Sequence, residues 1–218
     1  MKRSPTVVFG EWAEIGRDEG MEKGHQQSVD EMLSVVLEGQ KQFSFIDAGC
    51  GNGWVVRKVA KHPECVSVAG VDGAQQMIDK ALKSDPNNSY TCADLSSWNP
   101  KVPVDIVHSM EVVYYLKDPL SFLKNVYDFW LNTGGLLIFG LDFYEENTVS
   151  HSWPEDCGVL TMHLFSENHW VRLLRDAGFS NVESFRYGTK ESWAGTLVLK
   201  GKKSVSYTHL TLPTTRHV

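Results

Sequence analysis

Short apolar runs alternate with helix-like segments from residue 43 to about residue 200, and this alternation limits the fold more than any other feature of the sequence. The strand-like runs are 43–49, 66–72, 89–94, 104–109 and 135–142. Helix-like segments at 54–61, 74–83 and 119–131 lie between them. Such alternation predicts an α/β fold in which a mostly parallel sheet carries helices on both faces.

The segments on either side of this region have their own patterns. A helix predicted over 167–177 precedes two strand-like runs, 181–188 and 192–202, which we expect to pair as a hairpin at the sheet edge. Before the first strand, residues 28–39 predict an amphipathic helix that begins with a Ser28–Glu31 capping box.

One domain over residues 1–203 accounts for all of these elements. Within it we expect a lid and a helix over 1–40, and we expect the long connection over 143–165 to be functional, as long connections often are. The last segment, 204–218, continues neither the strand nor the helix period. We interpret it as a non-native tail and leave it out of the fold argument.

Composition and charge exclude several functional classes. The chain of 218 residues is 42% hydrophobic and 22% charged, which is typical of a globular domain. Its net charge of −6 disfavours nucleic acid and anionic membranes as partners. The sequence shows no membrane span and no secretion signal, and its four cysteines show no CxxC spacing. We therefore expect a cytoplasmic protein with reduced thiols, either a monomer or a homodimer.

A glycine-rich loop follows the first predicted strand. Gly49, Gly51 and Gly53 alternate in the sequence DAGCGNG, and a helix-like segment comes next. Glycines let the backbone turn sharply and let a ligand approach closely, so the loop predicts a nucleotide-like ligand at the carboxyl edge of the sheet. The spacing is neither the GxGxxG of nicotinamide enzymes nor the GK[ST] of phosphate loops. Asp72, at the end of the second strand, can accept hydrogen bonds from a ribose diol.

Five motifs together resemble those of a known family. In order, DAGCGNG, VDGAQQMI, ADL, VDIVHSMEVVYYLKDP and NTGGLLIFGLD are similar to the successive motifs of class I S-adenosylmethionine-dependent methyltransferases of the small-molecule type. The resemblance covers residues 45–200. It implies a Rossmann-like, seven-stranded, mostly parallel sheet with an antiparallel last strand. It also implies S-adenosyl-L-methionine as cofactor and S-adenosyl-L-homocysteine as product.

The resemblance assigns cofactor contacts from the methionine end to the adenine end. Asp47 and the loop would hold the methionine part, Asp72 the ribose, and Asp94 the adenine amine. Met110 would lie beside the sulfonium. The full set of expected cofactor-binding residues is Asp47, Gly49, Cys50, Gly51, Gly53, Asp72, Gly73, Met77, Asp94, Leu95, Ser109 and Met110.

The methyl acceptor is expected over the carboxyl edge of the sheet, between the N-terminal lid, the residues after the fourth strand and the 143–165 connection. Candidate catalytic groups are His25, Tyr115, His151 and His163. Candidate substrate-binding residues are Trp12, Arg17, Glu111, Tyr114, Tyr144 and Trp153. Aromatic rings mixed with carboxylates suit an amine or aromatic small molecule. Arg17 would instead suit a carboxylate, and Tyr115 is equally compatible with a core position.

The sequence therefore predicts methyl transfer to a nitrogen or oxygen of a small molecule by in-line displacement. The sulfonium methyl is already electrophilic, so no catalytic triad is required, and none is found. A set of Asp, Glu or Asn residues with recognisable metal-ligand spacing is also not found, so no metal is expected. Two alternatives stay open, namely a protein methyltransferase and a non-catalytic subunit that binds the cofactor.

Overall fold

The computed structural model describes residues 2–204. The strands are β1 (Phe43–Ala48), β2 (Cys65–Asp72), β3 (Ser89–Cys92), β4 (Val104–Met110), β5 (Leu131–Leu141), β6 (Ser180–Tyr187) and β7 (Thr196–Lys202). The α-helices are α1 (Pro5–Glu14), α2 (Asp18–Leu37), α3 (Trp54–Val59), α4 (Gln75–Ser84), α5 (Pro119–Asn125), α6 (Trp153–Asp156) and α7 (Glu167–Asp176).

The strands form a single seven-stranded sheet in the order β3-β2-β1-β4-β5-β7-β6. The five strands β1 to β5 pair in parallel, and β7 pairs antiparallel with both β5 and β6. The predicted sheet, its antiparallel last strand and the C-terminal hairpin are thus confirmed. After β1 the chain forms β2 and β3 on one side of this strand, and it then returns to the other side of β1 as β4. Ligands of open α/β sheets bind at such a reversal, outside the carboxyl ends of the strands.

Alternate residues of the central strands face two separate cores. In β1, Phe43 and Phe45 join the core under α2 and α3, whereas Ile46 and Ala48 join the core under α5 and α7. The strands β4, β5 and β7 divide in the same way. A sheet covered on both faces holds the carboxyl ends of β1 and β4 in a fixed relation.

The start of α2 differs from the prediction. The helix begins at Asp18, so Ser28 lies inside it and the predicted capping box is wrong. The Ser28 hydroxyl is instead buried and lies 2.8 Å from the Thr196 hydroxyl of β7. The longer helix brings its first turns to the edge of the sheet where the glycine loop lies.

The boundary between α5 and β5 also differs from the prediction. The helix predicted over 119–131 ends at Asn125, and Val126–Trp130 forms a π-helical turn. The buried Trp130 ring donates from Nε1 to Trp98 O at 3.1 Å, which fixes this turn against the loop before β4. The strand β5 then begins at Leu131, before the glycine pair that was expected to separate the two elements.

Two further expectations concern the chain as a whole. Among residues 2–204, no helix has the length and apolarity that a membrane span requires. The segment 204–218, interpreted from the sequence as a non-native tail, lies outside the described residues apart from Ser204.

Candidate active site

The glycine loop turns through three left-handed positions. Gly49, Gly51 and Gly53 have φ of 78°, 52° and 79°, which residues with a side chain rarely adopt. A Cβ on Gly49 would lie 2.2 Å from the Val112 side chain, and one on Gly53 would lie 2.6 Å from Tyr90. A Cβ on Gly51 would meet only Met77 Sδ, at 3.9 Å. Two of the glycines are therefore required by packing, and the middle one keeps the loop backbone open.

A cleft of about 510 Å³, part of it open solvent, lies beside this loop. It is bordered by Asp47 and the 49–51 segment, by His108 at the end of β4, by Glu111 just after β4, and by His25 of α2. Its position is the reversal of strand order between β1 and β4. The fold thus places the cleft where a ligand of an open α/β sheet is expected.

A buried acid–imidazole pair forms one wall of the cleft. Asp47 and His108 are neighbours in the register of β1 and β4, and His108 Nδ1–H donates to Asp47 Oδ1 at 2.7 Å. Both residues are buried, and His108 Nε2 has no hydrogen-bond partner among the described residues. Buried polar atoms are rarely left unpaired, so this nitrogen marks a position for a polar ligand atom. Our reading of the sequence missed His108, and the only signal was a polar residue within an apolar strand.

Asp72 holds the glycine loop through the backbone. Its Oδ2 accepts from Gly51 N at 2.9 Å, and its Oδ1 accepts from Ala74 N at 2.8 Å. Desolvation by the surrounding protein raises the pKa of this carboxyl, and these hydrogen bonds oppose the rise. Asp72 does not border the cleft, although its oxygens keep lone pairs for further bonds.

Helix α1 covers the end of the site that was assigned to the ribose and adenine. The Thr6 methyl lies 2.6 Å from the position a Cβ would take on Gly73, and Ala13 packs on Ala74 and Met77. Leu95 is buried in the main core, and Asp94 is exposed, with its Oδ1 accepting from Ser96 N. The cofactor assignments of Gly73, Asp94 and Leu95 thus stay predictions.

The cleft brings together half of the predicted cofactor residues. Those that border it are Asp47, Gly49, Cys50, Gly51, Met77 and Met110, and those that do not are Gly53, Asp72, Gly73, Asp94, Leu95 and Ser109. Ser109 is buried in β4, where its hydroxyl donates to Ala48 O at 2.7 Å.

A cluster of three titratable side chains lies at the opposite wall. His25 comes from α2, Glu111 follows β4, and Asp142 follows β5. His25 Nε2 lies 3.3 Å from Asp142 Oδ2, and His25 Nδ1–H donates to Met21 O at 2.8 Å. Glu111 accepts from the Asp142 backbone N–H and, at 2.6 Å, from the Tyr114 hydroxyl. The sequence predicted His25, Glu111 and Tyr114 as site residues but not Asp142.

Burial and charge shift the pKa values in this cluster. Burial alone would lower the pKa of His25, but the bond to Asp142 and the charges of Glu111 and Asp142 raise it to about 9. Burial, reinforced by the charge of Asp142, raises the pKa of Glu111. Perturbed groups that border a cleft are typical of functional sites. Because its pKa is raised, His25 is protonated at neutral pH in this arrangement and cannot act as a general base.

Aromatic rings continue from the cluster to the N-terminal helix. The Tyr115 ring lies 4.3 Å from that of Tyr114 and 5.0 Å from that of Phe9. Phe9 in turn lies 5.2 Å from Trp12, and the Arg17 guanidinium lies 5.0 Å from the centre of the Trp12 ring. The predicted substrate residues of the lid therefore form one row that ends at an exposed arginine.

Trp12, Arg17, Tyr114 and Tyr115 do not border the cleft, and four more predicted acceptor-side residues lie away from it. Tyr144 is fully buried in the core, where its hydroxyl donates to Gly195 O at 2.9 Å. Trp153 stacks on Trp193. His151 and His163 each bond a backbone carbonyl through Nε2, at 3.0 and 2.9 Å. These contacts stabilise the 143–165 connection, and none of the four residues borders the cleft.

The chain was compared with known families and proteins. A family model described as "Methyltransferase domain" matches residues 18–184, which is more than half of the chain. The protein belongs to this family. The resemblance of the sequence to class I S-adenosylmethionine-dependent methyltransferases is thus confirmed, and S-adenosylmethionine is the cofactor of such enzymes.

Individual relatives resemble this methyltransferase to different extents. The trans-aconitate 2-methyltransferase of Rhizobium etli is 33% identical over 92 residues, which cover 42% of this chain and 36% of that enzyme. The chain thus matches only about a third of that relative's length.

Two solved structures extend the comparison. A Haloferax volcanii methyltransferase, solved in complex with the Trm112 methyltransferase activator, is 25% identical with a TM-score of 0.80, covering 94% of this chain and 100% of that one. The N-methyltransferase NodS of Bradyrhizobium japonicum, solved with S-adenosyl-L-homocysteine, has a TM-score of 0.64 and 17% identity, covering 82% and 86% of the two chains. The NodS likeness concerns the fold alone.

The residues of the methyltransferase fit the methionine end of its cofactor. A Cβ on Gly51 would contact only Met77 Sδ, the loop follows β1, and the unpaired His108 Nε2 borders the same cleft. A ligand ammonium group would satisfy this buried nitrogen. At the adenine end, the Thr6 methyl covers Gly73, and we expect it to move when the cofactor binds.

Proposed function

We propose that this methyltransferase transfers a methyl group to a nitrogen or oxygen of a small molecule. One observation carries the proposal: a single cleft separates the glycine loop and the Asp47–His108 pair from the His25–Glu111–Asp142 cluster. The cleft is a local concavity at the sheet edge, bordered by side chains of a few converging elements, as small-molecule sites are. The trans-aconitate methyltransferase relative, which acts on a small acid by its name, supports the same substrate class.

In-line displacement is the proposed mechanism. When bound, S-adenosylmethionine supplies an electrophilic methyl group. The residues of the chain then have two tasks: to align the acceptor and to exclude water from the reacting atoms. The glycine loop and His108 would hold the donor side, and His25 and Glu111 would hold the acceptor side. Tyr115, whose ring contacts those of Tyr114 and Phe9, would cover the acceptor on one side.

An amine or aromatic acceptor is proposed over a polycarboxylate. The acidic residues that border the cleft are Asp18, Glu22, Asp47 and Glu111. The Tyr115 ring contacts Phe9 and Tyr114, and the Tyr114 hydroxyl donates to Glu111. Arg17, the lid residue that would suit an anionic acceptor, is exposed and held over Trp12. An acidic border backed by aromatic rings attracts cations and flat rings and repels several carboxylates at once.

A labelling experiment tests the proposal. The protein is incubated with methyl-labelled S-adenosylmethionine and pooled amines, phenols and carboxylic acids, and products are identified by mass spectrometry. We expect label on a small amine or aromatic compound, and less of it with Asp72→Ala. Label on protein alone would favour a protein methyltransferase. No binding of S-adenosylhomocysteine in calorimetry would overturn the proposal altogether.

A second candidate is an enzyme that depends on an activator. It is favoured by the full-length likeness to the Haloferax protein that was solved with such a partner. In that case the chain alone would bind S-adenosylhomocysteine but give no labelled product, and adding a Trm112-type activator would restore turnover. Labelled product from the chain alone contradicts this candidate.

A further inference from the structure

Three side chains that are distant in the sequence meet beside the cleft. One ligand atom from each of His25, Glu111 and Asp142 lies within 4.8 Å of the other two. Glu111 and Asp142 arrive together because β4 and β5 are parallel neighbours whose register runs from Ile106 and Leu136 to Met110 and Gly140. We propose that His25, Glu111 and Asp142 bind a divalent transition-metal cation of the Mn²⁺ or Zn²⁺ type.

The donor set fits such a cation. One imidazole nitrogen and two carboxylates suit Mn²⁺ and Zn²⁺, whereas sites for Mg²⁺ and Ca²⁺ use oxygen donors. Bonds of about 2.0–2.2 Å place neighbouring ligands of a tetrahedral site roughly 3.4 Å apart. His25 Nε2 and Asp142 Oδ2 are already 3.3 Å apart, and because the three ligand atoms lie within 4.8 Å of one another, a side-chain shift of at most about 1.5 Å closes the site.

The surrounding hydrogen bonds orient all three groups as ligands. His25 Nδ1–H donates to Met21 O, which leaves Nε2 directed toward Asp142. Metal-binding histidines usually make such a bond from their other ring nitrogen. Glu111 is fixed from both oxygens, by the Asp142 N–H and by the Tyr114 hydroxyl. The ligand positions are therefore set in advance by neighbours that are not ligands.

The charge balance of the cluster also calls for a cation. Glu111 and Asp142 are both buried, and across residues 2–204 neither of them pairs with a lysine or arginine. Asp142 Oδ1 is buried and accepts no hydrogen bond from any described residue. Asp142 pairs with His25, and a metal bound at this position would take the place of the proton on His25 Nε2, which is released to solvent. A divalent cation would balance both carboxylates, and Asp142 Oδ1, which has no other partner among the described residues, could become a ligand.

Three protein ligands would leave further coordination positions. Because His25 and Glu111 border the cleft, these positions would open toward it and take water or an oxygen donor of the acceptor. This acceptor role rests on the proposed function. The binding of the cation itself does not.

Metal binding can be measured on the full chain without any turnover. The protein is stripped with a chelator, dialysed, and titrated with MnCl₂ and separately with ZnCl₂ by calorimetry, with the electron paramagnetic resonance of free Mn²⁺ as a second readout. We expect one equivalent to bind. Asp142→Asn and Glu111→Gln should each weaken binding by at least roughly 10- to 100-fold, the loss that even changes next to metal ligands cause. Glu31→Gln, which changes an exposed acid of α2 outside the cleft, should leave the affinity unchanged.

Other results would overturn the inference. They are the absence of saturable one-to-one binding by the wild type, or equal affinities in wild type and Asp142→Asn. If a carboxyl variant does not fold by circular dichroism, His25→Gln takes its place in the comparison, and Co²⁺ absorption of the wild type reports whether a nitrogen ligand is present.

The same samples separate the two proposals. Binding of S-adenosylhomocysteine without Mn²⁺ or Zn²⁺ binding refutes the cation site and leaves the methyltransferase proposal standing. Cation binding without S-adenosylhomocysteine binding supports the cation site and refutes the methyltransferase proposal.

Discussion

Glu111 combines a strained backbone with a buried carboxyl. Its φ of 59° is unusual for a residue with a side chain. The conformation is held by its N–H, which donates to Gly140 O at 2.9 Å, and by the bonds to its carboxyl from Asp142 and Tyr114. Strain of this kind persists where the surroundings over-determine it, commonly at functional sites. The strained turn directs the carboxyl toward His25 instead of along β4.

Asp72 gives a first prediction for a single residue. Asp72→Ala removes the acceptor for Gly51 N and any bond to the ribose. We expect weaker binding of S-adenosylhomocysteine by about 1–3 kcal/mol, measured by calorimetry, because a buried donor loses a charged partner. Asp79→Ala, an exposed acid on α4, is the matched control and should have no effect. Unchanged affinity in Asp72→Ala would remove this residue from the cofactor site.

His108 gives a second prediction, which separates the two ends of the cofactor. His108→Phe keeps a ring against Phe45 but deletes the unpaired Nε2. We expect affinity for S-adenosylhomocysteine to fall about 5- to 100-fold, the scale of a buried unsatisfied polar group. Affinity for 5′-methylthioadenosine, which lacks the amino-acid part, should change little. His62→Phe is the control, and equal losses for both ligands would contradict the assignment.

Helix α1 is the element whose position most affects ligand access. Thr6 fills the space over Gly73, and Ala13 packs on α4 through Ala74 and Met77. We expect a ribose at Asp72 and an adenine at Gly73 to displace this helix. Such movements of covering elements are common in enzymes that must exclude water during the reaction.

The helix carries its own fluorescent reporter, Trp12, which leads to a third prediction. Adding S-adenosylhomocysteine should change the tryptophan fluorescence, because Trp12 moves relative to Phe9 and Arg17. Trp12→Phe should reduce the amplitude of this change. Trp170→Phe should not, since Trp170 is buried against Phe139 of β5 and lies outside the predicted cofactor contacts. An unaltered amplitude in Trp12→Phe would mean that α1 stays in place.

Elements with a strong local signal were predictable, and contacts made by the fold were not. The parallel strands, the glycine turn and the final hairpin followed from hydrophobic period and turn residues that lie close together in the chain. The meeting of His25, Glu111 and Asp142 depends on strand order and on the true start of α2 at Asp18. The role of His108 depends on its register with Asp47. Neither the three-residue cluster nor the His108–Asp47 pair can be predicted from the pattern of one segment of the sequence.

At the scale of the molecule, stability depends on the two cores that the sheet separates. Phe139 of β5 is fully buried, and its ring lies 6.0 Å from Trp170 of α7. We predict that Phe139→Ala costs about 3–5 kcal/mol of unfolding free energy, measured by urea denaturation. Phe129→Ala removes a ring that is 57% exposed and should cost under about 0.5 kcal/mol. Similar costs for both variants would show that the core is assigned incorrectly.

The C-terminal segment gives a last prediction for the whole chain. Deleting residues 204–218 should leave the melting temperature and S-adenosylhomocysteine affinity unchanged, because β7 ends at Lys202 and the sheet is complete before the deletion. Calorimetric melting and binding of the shortened protein measure this. A fall in either value would show that the segment takes part in the fold or the site.

Arg3 connects the two sides of the site through the backbone. Its N–H donates to Gly158 O at 2.9 Å, and its carbonyl accepts from Leu160 N at 2.8 Å, so the start of α1 is joined to the 143–165 connection. We expect a shift of α1 away from Gly73 to move residues 158–160 with it. Donor binding would then change the position of a segment that does not itself border the cleft.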